Sequence, residues 1–142
     1  MYKKIFIDAN IILDLFNLGR KSHSFSTEFY QYALTNAIEL ATSCDLITTI
    51  YYIDSKIDKT VALSHIEEIN KTIHVIDFSN KEIAQTCQLM RENPNYKDLE
   101  DTIQYILAKK EGCDLIISND SDFYAEEIPV MSSKSFIEQL PS

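Results

Sequence analysis

Glycine is nearly absent from the chain, because its 142 residues include only Gly19 and Gly112. Dinucleotide-binding and phosphate-binding loops need several glycines within one short turn, since the backbone there adopts positive φ or approaches a phosphate closely. Two glycines so far apart cannot build a G-x-G-x-x-G turn or a P-loop. Any chemistry on phosphates must therefore depend on other groups.

Cysteine and histidine are scarce and scattered. The three cysteines, Cys44, Cys87 and Cys113, form no C-x-x-C motif, and the three histidines form no H-x-x-x-H pair. These spacings do not predict a structural zinc site. An odd number of cysteines among apolar neighbours predicts buried free thiols in a reducing compartment.

Long apolar runs and linkers are also missing. No segment approaches the roughly 18 apolar residues of a membrane span, and the opening segment MYKKIFID turns acidic too early for a secretory signal. We therefore expect a cytoplasmic protein with no membrane contact. No repeat and no stretch rich in Pro, Gly and Ser divides the chain, which predicts a single domain over residues 1–142.

Short apolar runs alternate with longer amphipathic segments. The predicted strands are Lys4–Ile7, Cys44–Thr48, His74–Phe78, Leu115–Ser118 and Ile128–Met131. The predicted helices are Asn10–Leu18, Ser24–Thr42, Lys59–Thr72, Lys81–Met90 and Asp98–Glu111, with an apolar face of Ile83, Ala84, Cys87 and Met90 on the fourth. Such alternation predicts an α/β fold with a mostly parallel sheet between helical layers.

Acidic residues follow several predicted strands. Asp8 ends the first strand, Asp77 follows His74–Ile76, and Asp120 and Asp122 come just after Leu115–Ser118. The carboxyl ends of parallel strands share one edge of a sheet, where ligands bind. Like charges gathered there require protonation or a cation, and Mg²⁺ or Mn²⁺ prefers oxygen ligands.

The predicted helix 98–111 begins with two more acids on one face. Asp98 and Asp101 are three residues apart, while Leu99, Ile103 and Ile106 occupy a different face. If this helix starts near the same edge, the Asp101 carboxylate points towards Asp8 and Asp120. Three chain segments would then supply one metal site.

Each acid also has a purely structural interpretation. Asp98 is a good helix N-cap with Asp101 as the acid of a capping box, and Asp8 can cap the first helix. Asp120 and Asp122 can form an Asx turn. For Asp77 we prefer capping of the helix that follows Ser79.

Three segments, in order, resemble the PIN-domain family. The first is IFIDANIILDLF from Ile5, the second is DLEDTIQYILA from Asp98, and the third is GCDLIISNDSDF from Gly112. The third fits the family pattern T-x-D-x-x-F with Ser118 in place of Thr. Residues 128–131 and 135–137 fit the family's last strand and helix, so the resemblance extends along the whole chain.

The resemblance implies a three-layer α/β/α sandwich around a mostly parallel sheet and Mg²⁺- or Mn²⁺-dependent ribonuclease activity. Small bacterial members of the VapC type are often the toxin of a toxin–antitoxin pair, which implies RNA as substrate and an antitoxin protein as partner. The apolar, aromatic stretch Phe25–Ala41 is a separate reason to expect a homodimer or a groove for an antitoxin. Carried over by motif, the catalytic metal ligands are Asp8, Asp101 and Asp120, with Asp122 as a further acid. Asn10 and Ser118 would orient the carboxylates, and Asp98 would be auxiliary.

One family acid has no counterpart. Many PIN domains carry a Glu about one turn into the helix after the second strand, but tyrosines occupy that region here, at Tyr51 and Tyr52. Asp54 is the nearest acid and lies about half a turn too late. The departure leaves open a second function, a PIN-fold protein-binding module without catalysis.

The net charge of −9 opposes RNA binding, because affinity for nucleic acid comes mostly from Lys and Arg contacts to phosphates. Part of the acid excess belongs to the expected metal site. The candidate phosphate contacts are Arg20, Lys21, Lys56, Lys59, Arg91 and Lys97.

A phosphoacceptor receiver domain is a third interpretation. Asp8, Asp77, Ser118 and Lys134 imitate the order of its key residues. The acidic pair that such domains need at the first strand is missing, however, because Ile7 precedes Asp8. That interpretation also gives no role to Asp101 or Asp120.

Overall fold

The computed structural model describes residues 1–141, in which five strands alternate with seven helices. The strands are β1 (Lys4–Ile7), β2 (Glu39–Ser43), β3 (His74–Ile76), β4 (Leu115–Ile117) and β5 (Val130–Met131). The helices are α1 (Ala9–Phe16), α2 (His23–Thr35), α3 (Cys44–Asp54), α4 (Lys59–Thr72), α5 (Asn80–Glu92), α6 (Leu99–Lys110) and α7 (Ser133–Glu138).

The five strands form one sheet in the order β3-β2-β1-β4-β5, and every neighbouring pair is parallel. The chain runs outward from β1 to β3 on one side, then crosses to β4 and β5 on the other. The strand order therefore reverses between β1 and β4, and a crevice opens at their carboxyl ends. Receiver domains place β1 between β2 and β3 instead, so this topology excludes the receiver interpretation.

Helices cover both faces of the sheet because successive strand residues point to opposite sides. Ile5 and Ile7 of β1 belong to a core shared with α1, α2, α3, α4 and α7. Phe6, between them, belongs to a second core with α6 and the loop around Phe123. This arrangement confirms the three-layer α/β/α sandwich.

The prediction for the second strand is wrong. Residues 44–48 begin α3, and the strand is Glu39–Ser43, which the sequence pattern had assigned to the end of a helix. Helix α2 ends at Thr35 because Ala37 adopts the left-handed conformation, with φ 54°, and Ile38 N donates to Ala33 O. Glycine usually occupies such a position and marks the end of a helix, but here the signal is missing.

The exposed side of α5 also differs from the prediction. Ile83, Ala84 and Cys87 face outward, and the buried residues are Glu82 and Thr86. Of the other two cysteines, Cys113 is buried and Cys44 is half-buried, so the prediction of buried free thiols is wrong for Cys87.

The prediction that Asp77 caps the start of α5 is wrong. Ser79 caps this helix through a capping box with Glu82, whose side chain accepts from Ser79 N at 2.9 Å. Asp77 is exposed and does not cap the helix.

None of the helices over residues 1–141 is long and apolar enough to cross a membrane.

Candidate active site

Asp8 directly follows β1, and its backbone N donates to Ile117 O of β4 at 3.0 Å, so it lies between the carboxyl ends of these two strands. Hydrogen bonds hold both oxygens of its carboxylate. Oδ1 accepts from Ala9 N at 2.7 Å, which also caps α1, and Oδ2 accepts from Ser118 Oγ at 2.8 Å. The side chain is 6% exposed. Burial raises the pKa of Asp8, and the negative charge of Asp120 adds to the rise, although hydrogen bonds from Ser118 and Ala9 partly offset it.

Two polar side chains fix Asp8 to the loop after β4. Ser118 Oγ donates to Asp8 and accepts from Asp120 N at 3.1 Å, so it bridges the two acidic segments. Asn10 Nδ2 donates to Asp8 Oδ2 at 3.3 Å, and Asn10 Oδ1 accepts from Asn119 N at 3.1 Å. Asn10 and Ser118 therefore occupy positions from which they orient acidic side chains.

Asp101 approaches the same crevice from the first turn of α6. It is half-buried, and burial raises its pKa to about 7, with further contributions from the negative charges of Asp98, Asp8 and Asp120. The charges of Asp8 and Asp120 both raise the pKa of Asp101, and the charge of Asp120 also raises that of Asp8, so the three carboxylates lie close together. We call these three the acid cluster. They come from three distant segments of the chain, as the sequence predicted.

The remaining predicted residues lie around the acid cluster. A cavity of about 620 Å³ opens beside it and is lined by Asp98, Asp101, Asp120 and Asp122 together with Lys97. Asp98 caps α6 by accepting from Asp101 N at 2.8 Å, and Asp122 N donates to Asp120 Oδ1 at 2.9 Å, which forms the Asx turn. Structural and electrostatic roles therefore coexist in the same residues.

Two acids that the sequence interpretation missed approach the same edge. Asp45 lies in the first turn of α3, hydrogen-bonded to Ser43 Oγ, and Glu100 lies in the first turn of α6. Burial raises the pKa of Glu100, and the charges of Asp45, Asp8 and Asp98 raise it further. Asp54 is the acid nearest in sequence to the position of the missing family Glu. It is instead buried against α4, where Asp54 Oδ2 lies 2.5 Å from His65 Nδ1.

A buried carboxylate next to the crevice anchors the loop that carries Asp120. Asp14 of α1 accepts from Asn119 Nδ2 at 2.8 Å, from Ser26 Oγ at 2.7 Å and from Arg20 Nε at 2.8 Å. Asn119 Oδ1 accepts in turn from Ser133 N at 3.0 Å. An acid within the apolar stripe of α1 was the only sequence signal for this network.

The carboxylate oxygens of the acid cluster suit a hard divalent cation. Burial and neighbouring negative charges raise the pKa of both Asp8 and Asp101, and a bound cation would relieve both effects. Within residues 1–141, no three Asp, Glu, His or Cys side chains converge into a closed cage for an ion. Mg²⁺ needs only one or two carboxylates because it keeps several waters, so an open arrangement fits it.

Comparison with known proteins identifies the family. The PIN domain family model matches residues 5–127. The chain is 47% identical over 137 residues to Ribonuclease VapC1 of Aquifex aeolicus (strain VF5), an alignment that covers 96% of this chain and 95% of that relative.

Solved structures share the fold at low sequence identity. VapC20 of Mycobacterium tuberculosis, described as a sarcin-ricin loop cleaving toxin, has a TM-score of 0.68 at 16% identity, over 84% of this chain and 92% of that one. DNA-bound VapBC from Salmonella typhimurium has a TM-score of 0.70 at 13% identity, over 92% and 98%. With the match to the family model and the 47% identity, the conclusion is plain: the chain belongs to the PIN-domain family.

Proposed function

We propose that this protein is a Mg²⁺- or Mn²⁺-dependent endoribonuclease and the toxin of a toxin–antitoxin pair. The observation that carries the proposal is the acid cluster, because three carboxylates from distant segments meet at the carboxyl ends of β1 and β4. The relative with 47% identity is named as a ribonuclease, which supports the same activity.

The residues divide into metal ligands and residues that position them. Asp8, Asp101 and Asp120 would hold the ion, with Asp122 as a further acid at the exposed side of the cavity. When bound, such an ion supplies a hydroxide from a coordinated water near neutral pH and neutralises charge on the phosphate. Ser118 and Asn10 keep the Asp8 carboxylate in one orientation, and Asp98 stabilises the first turn of α6.

The family Glu that is missing from this chain is an argument for an inactive binding module. Asp45 and Glu100 weaken that argument, because both place negative charge at the same edge. A side chain from the start of α3 can therefore take the place of the missing Glu in the charge balance of the site. We favour the enzyme over the inactive module for this reason.

The proposal is tested by incubating purified protein with single-stranded RNA in Mn²⁺, in EDTA, and in EDTA followed by excess Mn²⁺. We expect cleavage only where Mn²⁺ is free, with recovery on re-addition. Attack of water on phosphorus breaks the P–O3′ bond, so the products should carry 5′-phosphate and 3′-hydroxyl ends. Cleavage that persists in EDTA, or 2′,3′-cyclic phosphate ends, would contradict the proposal.

Basic residues next to the acid cluster provide the expected contacts to RNA. Arg20 and Lys21 line a second cavity of about 360 Å³, together with Asn10 and Asn119, and Lys97 lines the acidic cavity. Lys56 instead packs over the Tyr52 ring, 4.5 Å from its centroid. Asn119 lines the second cavity and Asp120 lines the acidic one, so both cavities border the loop after β4.

Lys21→Ala should weaken RNA binding without changing the chemical step. We expect the KM for RNA to rise a few-fold with kcat nearly unchanged, and the salt dependence of log KM to become shallower by about 0.7, the value for one phosphate contact to a single strand. Lys71→Ala is the matched control, because Lys71 is exposed beside the amino end of the sheet. Equal effects of the two variants would argue against a local contact.

We further propose an antitoxin protein as partner and a homodimer in solution. One structural neighbour is described as a toxin–antitoxin complex from Klebsiella pneumoniae, and another is VapBC2 of Rickettsia felis bound to a DNA fragment from their promoter. Light scattering decides the second point, since a homodimer has twice the 16.4 kDa mass of one chain.

A further inference from the structure

The cavity of about 360 Å³ that Arg20 and Lys21 line has a net positive charge. Its charged lining residues are Arg20, Lys21 and Asp14, two positive and one negative. The cavity beside the acid cluster is lined instead by four Asp side chains and by Lys97. Because every phosphate of an RNA strand is negative, the acidic cavity needs a cation before it can accept one, whereas the positive cavity does not.

The Arg20 side chain is held in place. Its Nε donates to Asp14 Oδ1 at 2.8 Å, and the Asp14 side chain is only 4% exposed. The backbone is fixed as well, because Arg20 N donates to Asn17 O and Arg20 O accepts from His23 N, both at 3.1 Å. An arginine held in this way loses little conformational freedom when it binds a ligand.

The guanidinium of Arg20 retains donors for a ligand. Over residues 1–141, Nε is the one nitrogen of this group that donates a hydrogen bond, so the four N–H donors on its two Nη atoms have no protein partner. Two parallel N–H groups of a guanidinium match two oxygens of a phosphate. A base is a poorer fit, since proteins mostly stack unpaired bases on aromatic side chains and none of the described residues lining this cavity is aromatic.

Hydrogen bonds connect the Asp14–Arg20 pair to the acid cluster. Asn119 Nδ2 donates to Asp14 Oδ2 at 2.8 Å, and Asn119 N donates to Asn10 Oδ1 at 3.1 Å. Asn10 Nδ2 donates in turn to Asp8 Oδ2 at 3.3 Å. Two asparagines that also line the cavity therefore lie between the pair and Asp8, so the position of the guanidinium is fixed relative to the acid cluster.

We propose that this cavity binds one of the two phosphates next to the scissile phosphate of single-stranded RNA, with Arg20 as the main contact. The inference rests on the proposed function and deepens it, because the acid cluster and its cation would hold the scissile phosphate itself. Asp14 keeps the guanidinium in position. Since the site lies at a fixed place relative to the acid cluster, neutralising a phosphate should matter at one neighbouring position and not equally along the strand.

Arg20→Gln removes the proposed contact and preserves its attachment to Asp14. The amide nitrogen of glutamine follows Cδ, as Nε of arginine does, so it can still donate to Asp14, while both Nη groups are lost. Lys71→Gln is the matched control for the loss of one positive charge, because Lys71 is exposed beside the amino end of the sheet. Melting temperatures show that each variant is folded. If Arg20→Gln is not, Arg20→Lys takes its place, since it keeps the charge beside Asp14 and lacks the two Nη groups.

The phosphates are tested one at a time on a short RNA with a single cleavage site. Each is replaced in turn by an uncharged methylphosphonate on a 2′-deoxy sugar, and the reference at each position has the same sugar with a normal phosphate. For the wild type and Lys71→Gln, one replacement next to the scissile phosphate should lower kcat/KM about tenfold, the effect of losing one hydrogen bond between charged groups. For Arg20→Gln, the same replacement should change kcat/KM less than twofold, because the contact is already absent.

Three results would overturn the inference while the ribonuclease stands. In the first, neither neighbouring replacement lowers kcat/KM of the wild type, a measurement that needs no variant. In the second, every replacement affects the wild type and the Arg20 variant equally. In the third, removal of a neighbouring base, and not neutralisation of a phosphate, distinguishes the two proteins, which would mean that the cavity binds a base. If the wild type cleaves no RNA in Mn²⁺, the proposed function and the inference are both refuted.

Discussion

Asp101→Asn should abolish metal-dependent RNA cleavage while leaving the protein folded. Losing a residue that merely orients a metal ligand costs about 10- to 100-fold in metal affinity or activity, so losing a ligand should cost about 100-fold or more. Asparagine has the shape of aspartate, and no hydrogen bond of the Asp101 carboxylate would be lost, since its backbone N is the group bound to Asp98. Initial cleavage rates in saturating Mn²⁺ measure the effect.

Asp8→Asn should have the same effect on cleavage but a different effect on stability. Asp8 Oδ2 accepts from both Ser118 Oγ and Asn10 Nδ2, so an amide NH₂ at this position would face two donors. Rearrangement of those donors should disturb the loop that carries Asp120. We therefore expect loss of cleavage together with a lower melting temperature, in contrast to Asp101→Asn.

Asp77→Asn is the matched control for both variants. Asp77 also follows a parallel strand, β3, but it is exposed and does not contribute to the raised pKa of Asp8 or Asp101. Its cleavage rate should equal that of the wild type. The acid cluster is not the active site if Asp101→Asn retains a rate within a few-fold of the wild type at the same Mn²⁺ concentration.

The convergence of Asp8, Asp101 and Asp120 at one edge of the sheet was predictable, because it depends on features that can be read directly from the sequence. Alternation of strands and helices gives a parallel sheet, and residues that follow such strands share one edge. The start of α6 was equally visible, since Asp98 is a strong N-cap. The four strands other than β2 were predicted within a few residues of their observed bounds, and the predicted α4, 59–72, matches the structure.

The role of Asp45 was not predictable, because it depends on one backbone conformation. Helix α2 ends just before Ala37 without a glycine, so the sequence carried no signal for the change from α2 to β2. The predicted strand, 44–48, therefore lies five residues after the observed one. With the strand at 44–48, Asp45 falls at its amino end, away from the site. With β2 at Glu39–Ser43, the same residue follows the strand and joins the acidic edge.

The sequence pattern also did not predict which side chains of α5 and α6 are buried. Ile83 and Leu99 are exposed, at 44% and 53%, while Glu82, Thr86 and Gln104 are buried. Hydrophobic periodicity locates a helix, but a polar residue placed in the core by capping, as Glu82 is, contradicts the pattern. Such an exception is visible only once the neighbours of the residue in space are known.

Stabilisation of the protein by Mn²⁺ should increase strongly with pH. In the metal-free protein the pKa of Asp101 is raised to about 7 from an ordinary value of 3.8, and the pKa of Asp8 and of Glu100 shifts in the same direction. The folded state therefore holds more protons than the unfolded state between about pH 4 and 7. Since stability falls with rising pH wherever that is so, these groups should lower the melting temperature across this range.

A bound cation reverses this dependence of stability on pH, because it requires the deprotonated carboxylates that the metal-free protein disfavours. At pH 5.5, protons compete with Mn²⁺ and the shift in melting temperature should be small. At pH 8, Mn²⁺ at 100 times its dissociation constant should add about 2.7 kcal/mol, a rise of roughly 10 °C for a chain of this size. Differential scanning fluorimetry at both pH values, with and without Mn²⁺, measures the four temperatures.

Asp101→Asn separates charge repulsion from other causes of the pH dependence. Without that carboxylate, the metal-free variant should melt at a higher temperature than the wild type at pH 8 and at a similar one at pH 5, where Asp101 is already protonated. Its response to Mn²⁺ should be small at both pH values. A wild-type shift independent of pH would mean that Mn²⁺ stabilises the fold through groups other than the acid cluster, and a lower melting temperature of the variant at pH 8 would show that the Asp101 charge is not repelled in the folded protein.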